Sequence, residues 1–436
     1  MQELSAKILR LIMIVFLIVA EKNFAQVKEM HIDSLSIDLA TKIALENNPS
    51  IKIAYSNVDY SNASLRLSRS NYFPLLSIIG SASRTEGAFV FNPSFPPRDQ
   101  QYNNYTAGFQ LQQLIYDFGR TSNKVSASGD LVSSSLYDLK SATEDLIMLV
   151  EINCYTYLQA QYLEKVDQEA LAQTEEHLKL AEAFYKAGTQ PEYDVTKAQV
   201  DVANAKLNLI HSQNQIKVSK LLLENSLGVK IPNEFIITDS LKYDSLKISI
   251  DSVKSVALDN RTDLKSLKLK LAAQKSLISS VWSQNLPSIS AFGNYNWNGF
   301  DFPLYSRWNA GINLSIPIFQ GFSVSAQVQQ AESQEKNIEA SIEQLTLSIL
   351  SEVQENYLAV IDAENRIAAA KQLVLQAEEN FRLATQRYKA GVGSATEITD
   401  AQLALSNARY SNIQANYDYL TSLVRLKRSM GLLSSK

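Results

Sequence analysis

The sequence predicts a mainly α protein with a transmembrane β-barrel portion, built from one long antiparallel helical hairpin used twice. Three observations carry that reading. First, Tyr185-Lys186-Ala187-Gly188 recurs 203 residues on as Tyr388-Lys389-Ala390-Gly391, and the register holds from Ala198-Gln199 and Ala401-Gln402 to Leu227-Gly228 and Met430-Gly431. One period near half the chain length means a duplicated architectural unit, not a short solenoid repeat. Second, each copy holds a proline-free helical run, 67 residues over 120–186 and 68 over 322–389. Third, two segments of period-two alternation precede each run.

The first element is a leader. Lys7 and Arg10 precede an apolar stretch over 11–20, and Ala25 precedes the expected cleavage at Gln26. This is the pattern of a signal peptide over 1–25, leaving a mature domain over 26–436. The ten apolar residues of 11–20 fall short of the roughly 20 that a spanning helix needs. No later window comes near that length, so membrane insertion of the exported chain must use strands.

Residues 37–71 carry helical spacing, interrupted at Asn48-Pro49. Their counterpart over 250–284 lies at an offset of 213, with Ala257-Leu258-Asp259-Asn260 on Ala44-Leu45-Glu46-Asn47. The change from 213 to 203 puts a ten-residue excess between Pro74 and Leu111, in the first strand-to-strand loop.

The strands come next. Over 308–318, Trp308, Ala310, Ile312, Leu314, Ile316 and Ile318 share one face. In the first copy Tyr105, Ala107, Phe109 and Leu111 alternate with Thr106, Gly108, Gln110 and Gln112. Partner strands are expected over 73–83 and 286–297, with loops over 84–104 and 298–307. Phe91-Asn92-Pro93-Ser94-Phe95-Pro96-Pro97 excludes helix or central strand. Tyr295, Trp297, Tyr305 and Trp308 fall near strand ends, as membrane-interface aromatics facing outer-membrane lipid do. The alternation by itself also fits a half-buried soluble hairpin. The leader and the tandem arrangement favour the barrel.

Each long run then extends about 100 Å at 1.5 Å per residue. Apolar residues recur at threes and fours, as in Leu146, Leu149, Val150 and Cys154, and in Ile342, Leu345, Ile349 and Val353. Gly188 and Gly391 are placed to end the runs in a left-handed cap, and Pro191 to start the return. The return helices, 192–227 and 395–430, are about half as long. Their missing halves are supplied by 37–71 and 250–284, stacked end to end. The two repeats are thus about 37–228 and 250–431, joined by an equatorial segment over 229–249. Four strands per chain leave open edges that lipid does not tolerate, and single-chain barrels start at about eight strands. Oligomerisation has to close the sheet.

Composition excludes other classes. Gly (14) and Pro (10) are scarce, which suits long helices. A net charge of −4 gives no basic footprint, so no nucleic-acid partner is expected. The single cysteine, Cys154, excludes an intramolecular disulfide and reads as a small apolar helix residue. No phosphate-binding Gly-Lys-Ser/Thr loop and no Gly-x-Ser-x-Gly elbow occurs. His31, His177 and His211 lack metal-ligand spacing, and the latter two read as helix-surface residues. No enzyme, metal or cofactor is expected. A soluble periplasmic coiled-coil scaffold is the alternative; it explains the helices and the duplication but not the alternating strands.

The chain resembles the TolC-like outer-membrane efflux proteins over its mature length. The resemblance is carried by Leu314-Ser315-Ile316-Pro317-Ile318-Phe319 with Gly321, by its first-half copy from Leu111 to Gly119, and by the two Tyr-Lys-Ala-Gly tips, each followed by an acid and Ala-Gln. It implies a homotrimer whose chains contribute four strands each to one 12-stranded outer-membrane barrel, above a tapered periplasmic α-barrel tunnel. It also implies a passive channel that exports small molecules or proteins from an inner-membrane transporter through a periplasmic adaptor. By residue matching, Glu397 and Asp400 are the acids of a pore constriction; three apart on a helix, they share a face. The alternative is that both simply sit in the first turn of a helix, where acids complement the dipole; the family match favours the ring. Asp194 matches Glu397 in the first repeat, as a partner of the inner helix in the closed tip or a helix N-terminal acid. Lys186, Ala187, Gly188, Thr189, Lys389, Ala390, Gly391 and Val392 are the implied adaptor-docking tips. Two positions depart from the family pattern: Leu114 stands where the second copy has Pro317, and Gly393 occupies the place of a tip arginine.

Overall fold

The computed structural model describes residues 34–89, 98–232, 235–238 and 249–433. The expected signal peptide, the 91–97 loop and much of the 229–249 joining segment lie outside them. In order the elements are β1 (Ser34–Leu35), α1 (Ile37–Asn47), α2 (Pro49–Ser70), β2 (Leu75–Phe89), β3 (Arg98–Tyr116), α3 (Arg120–Lys186), α4 (Glu192–Leu227) and β4 (Ile236–Ile237). The second repeat follows with α5 (Ile250–Asn260), α6 (Thr262–Trp282), β5 (Ser288–Gly299), β6 (Tyr305–Ser315), α7 (Ser323–Lys389) and α8 (Ala395–Ser429).

The long helices fall where the spacing puts them, and α3 and α7 are each 67 residues. The stacked half-columns are real contacts. Asn48 ends α1, accepts from Ser50 N at 2.9 Å to start α2, and donates to Ser226 O at 2.8 Å at the end of α4. Gly228 (φ 72) sits so close that a Cβ would lie 2.9 Å from Asn48 Cα. The second repeat repeats the joint: Gly431 (φ 67) abuts the α5–α6 junction, where a Cβ would lie 2.9 Å from Asn260 C. That second break, at Arg261, has no proline to announce it. Arg261 is buried between Asp263 and Glu352, with both bonds at 2.7 Å.

Several strand bounds differ from those expected. β2 runs on to Phe89 and β3 starts at Arg98, so most of the expected 84–104 loop is ladder. The extension is polar: Arg84 donates to Gln101 at 2.7 Å, and Gln101 to Glu86 at 3.3 Å. Such cross-strand pairs hold a hairpin without apolar alternation. β6 begins at Tyr305 and stops at Ser315, short of Ile318; Pro317 has no N–H for the ladder. The β1–β4 parallel pair was not expected. It packs beside Phe235, whose ring stacks on Tyr157 of α3 at 4.8 Å, in the main equatorial core.

The sheet order is β2-β3-β5-β6, antiparallel throughout. The helices keep the same order. α3 packs against α2 and α4 on one side and against α6 and α8 on the other, while α7 packs against α5, α6 and α8. The flanked α3 buries Leu146, Val150, Cys154 and Leu158, whereas α7 leaves Leu347, Leu358, Leu375 and Leu383 exposed. Helical layer and sheet therefore open at the same two borders: the α2/β2 column and the β6/α7 column. At mid-height Arg428 of α8 reaches Asp145 at 2.6 Å and Ser141 at 3.0 Å on α3, tying the repeats together.

Candidate functional site

The sheet is two-faced. Directly paired residues share a face, and the register aligns Ile78 with Phe109, Phe109 with Tyr295, and Tyr295 with Trp308. Leu76, Leu111, Trp297, Ile312 and Leu314 follow on that side. The other side carries Ser77, Gln110, Gln112, Asn294, Asn296, Asn309 and Asn313 in the same ladders. In the single chain Ile78, Trp308 and Ile312 are each at least 75% exposed, an apolar surface of the kind that marks a membrane or partner contact. Tyr295, Trp297 and Trp308 sit on the apolar face; Tyr305, paired with Asn298, falls on the polar one by parity. A second aromatic group, missed in the sequence, rings the opposite end: Phe73, Tyr116, Phe118, Phe319 and Phe322 are all exposed where strands hand over to helices. Phe118 (φ 52) and Phe322 (φ 61) take left-handed backbone there, each beside a glycine that does the same. The signal was present in the mirrored Phe118-Gly119 and Gly321-Phe322 pairs.

The helical tips are matched Schellman turns. Gly188 N donates to Tyr185 O at 2.9 Å and Thr189 N to Phe184 O at 3.0 Å; Gly391 and Val392 repeat these bonds to Tyr388 O and Arg387 O at 2.9 and 3.0 Å. Both glycines have positive φ, 71 and 74. Lys186, Ala187, Gly188, Thr189, Lys389, Ala390, Gly391 and Val392 are all exposed.

Asp194 does not share the setting of its repeat partner. It is buried, and the buried Tyr388 hydroxyl donates to it at 3.3 Å across the seam between the two hairpins. The seam continues upward through Thr399 to Asp201 at 2.6 Å, a short Tyr410–Asp167 bond, and Arg409 to Glu169 at 2.8 Å. A cleft of about 780 Å³ opens along it, lined by Asp201, Lys197, Phe381 and Asp400 among others. His211 is exposed as expected, but His177 is not. It is buried in this seam with its ring edge-on to Tyr388 at 5.1 Å, and burial pushes its imidazole below the ordinary value.

Glu397 and Asp400 are exposed on the first turns of α8. Glu397 N donates to the capping Ser394 hydroxyl at 3.2 Å, and the Glu397 carboxylate meets Arg387 Nε at 3.2 Å. Sequence matching missed Arg387, because a ten-residue separation across a turn follows no helical spacing.

Open-bordered sheet, two-faced strands and paired helical hairpins define a channel-tunnel chain. The sequence model described as outer membrane efflux protein matches residues 40–229 and 253–432. The chain belongs to that family. Its relatives include the probable efflux pump outer membrane protein TtgC of Pseudomonas putida, 26% identical over 89% of this chain and 81% of that one. The outer membrane protein TolC of Vibrio cholerae is 22% identical over 90% of both. Among solved structures, the CmeC outer membrane channel of Campylobacter jejuni superposes with a TM-score of 0.81 at 20% identity, covering 91% of this chain and 85% of that one. The outer membrane protein VceC of Vibrio cholerae gives 0.79 at 18%, covering 91% and 96%. The protein is an outer-membrane efflux channel protein, and the soluble scaffold is set aside.

Proposed function

We propose that three copies of this chain form a passive exit duct, with a 12-stranded barrel in the outer membrane and a helical tunnel reaching through the periplasm. The carrying observation is that sheet and helical layer open at the same two borders. Rotating copies joined border to border would close both layers at once, and closure is what lipid demands of a spanning sheet. Residues 1–25 are removed on export, and the two repeats over 37–228 and 250–431 flank an equatorial joint over 229–249. Tyr295, Trp297 and Trp308 sit at the membrane interface.

The duct has no chemistry of its own and takes its cargo from an inner-membrane transporter through a periplasmic adaptor. Relatives are described as solvent and antibiotic efflux pump outer membrane proteins, which supports small molecules as the cargo class. The exposed tips from Lys186 to Thr189 and from Lys389 to Val392 dock the adaptor. Glu397 and Asp400 ring the constriction, where carboxylates favour cations. In planar bilayers the purified protein is expected to give cation-selective channels, and Glu397→Ala with Asp400→Ala to abolish the preference. Unchanged selectivity would remove the ring. Gly391→Trp is expected to leave the trimer intact and stop efflux in cells; wild-type efflux from that variant would argue against tip docking.

A further inference from the structure

The second-repeat tip carries its own counter-charge. Arg387 Nε lies 3.2 Å from Glu397 Oε2, and Nη2 donates to Val392 O at 3.3 Å. The guanidinium is thus held from two sides over the turn that its own residue anchors, since Val392 N and Gly393 N both donate to Arg387 O at 3.0 Å. Gly393 closes against that anchor: a Cβ there would lie 2.9 Å from Tyr388 N and 3.0 Å from Arg387 C. Both contacts are backbone, so a side chain at 393 requires the turn to shift. Of the cations at this tip, Arg387 is therefore the one directed at a ring carboxylate of its own chain.

The duplication supplies an internal control. At the 203-residue offset Arg387 corresponds to Phe184, and Glu397 to Asp194, which is buried against Tyr388 instead of paired with a cation. Asp400 forms no salt bridge among the described residues and is exposed. Only one of the two second-repeat acids is compensated.

We propose that Arg387 is a specificity-determining residue of the channel: it cancels the charge of Glu397 within each protomer, so that the net field of the constriction equals that of Asp400 alone. This rests on the pore-ring reading above. The pair is exposed, and exposed pairs add little stability. Cancellation does not require a persistent bond, because two opposite charges a few ångströms apart act together as a dipole, whose field falls off faster than that of either charge alone. Of these three side chains, Glu397, Asp400 and Arg387, each protomer presents two acids and one base. Removing the base doubles the net negative charge, removing either acid abolishes it, and removing Arg387 and Glu397 together restores it.

The test is the reversal potential in planar bilayers under a potassium chloride gradient, with each variant first confirmed as an intact oligomer. Arg387→Gln is expected to raise the potassium-to-chloride permeability ratio by about twofold or more, given the focusing of like charges in a narrow pore. Glu397→Gln is expected to lower it, Arg387→Gln/Glu397→Gln to return it to wild type, and Arg387→Lys to leave it unchanged. If Asp400→Asn lowers the ratio but Arg387→Gln does not raise it, the role of Arg387 is overturned while the ring stands. If neither variant moves the ratio, the ring itself falls, and this inference with it.

Discussion

The hydroxyl of Tyr388 on the second outgoing helix donates to the carboxylate of Asp194 on the first return helix, and both side chains are buried at the seam between the two hairpins. Burial, reinforced by the Asp194 charge, pushes the Tyr388 hydroxyl up to about 12, so it remains a donor throughout the physiological range. Tyr388→Phe strands a buried carboxylate without this donor. Hydrogen bonds to charged groups contribute about 1.5–3 kcal/mol, enough to loosen a seam of few such bonds. We expect Tyr388→Phe and Asp194→Ala each to raise the mean single-channel conductance, and the double variant to add little to either. Unchanged conductance in both variants would remove this bond from the control of the tip.

His177 makes the same seam sensitive to acid. Both ring nitrogens are buried without a hydrogen-bond partner, and burial lowers the imidazole against the opposing pull of Asp201 and Asp194, with Lys197 adding to the lowering. Tyr388 faces it from α7, and Arg382, Lys389 and Asp400 line the adjoining cleft. The closed seam therefore prefers neutral imidazole, while a hydrated ring takes up its proton near the ordinary value of about 6.5. The seam keeps its full stability above that value and loses it as pH falls toward the lower, buried value. Conductance is expected to rise between pH 7.5 and 5.5 in the wild type and to stay flat in His177→Phe. A flat wild-type profile would contradict the coupling.

The two faces of β6 should respond oppositely to charge. Ile312 and Asn313 are neighbours on opposite sides of the strand. A lysine on the lipid face near the midplane costs about 2–4 kcal/mol, whereas one facing the lumen is tolerated. Ile312→Lys is expected to lower the melting temperature of the gel-resolved oligomer sharply, and Asn313→Lys to leave it near wild type. Equal effects would mean that the faces are not lipid and lumen.

Two glycines separate structural need from chance. Gly431 combines φ 67 with a Cβ position 2.9 Å from Asn260 C, so Gly431→Ala strains the equatorial joint whatever moves. Gly129, inside α3, has nothing within 4 Å of its Cβ position. Gly129→Ala should stabilise by about 0.5–1 kcal/mol through helix propensity. Calorimetry is expected to show Tm falling for the first and rising for the second; a rise for Gly431→Ala would show that the joint is loose.

Much of this molecule was legible because its determinants are local. Proline-free runs and two Tyr-Lys-Ala-Gly stops set α3 and α7 to within a residue, and the alternation around Trp308 set the apolar face. What escaped depends on partners distant in sequence. The helix break at Arg261 is held by Glu352, 91 residues away, with no glycine or proline to mark it. The extension of β2 and β3 rests on the polar pairs of Arg84 and Glu86 with Gln101, which carry no hydrophobic period. His177 looked like a surface residue because its burial comes from the second hairpin, not from its own helix. The Arg387–Glu397 pair spans a turn, where helical spacing has no meaning.

Native mass spectrometry of detergent-extracted protein tests the central claim most directly, because the borders at β2 and β6 must be closed by further copies. The account predicts a single species of three mature chains that persists only with detergent or lipid. A stable monomer in plain buffer, or a closed assembly of another stoichiometry, would contradict it.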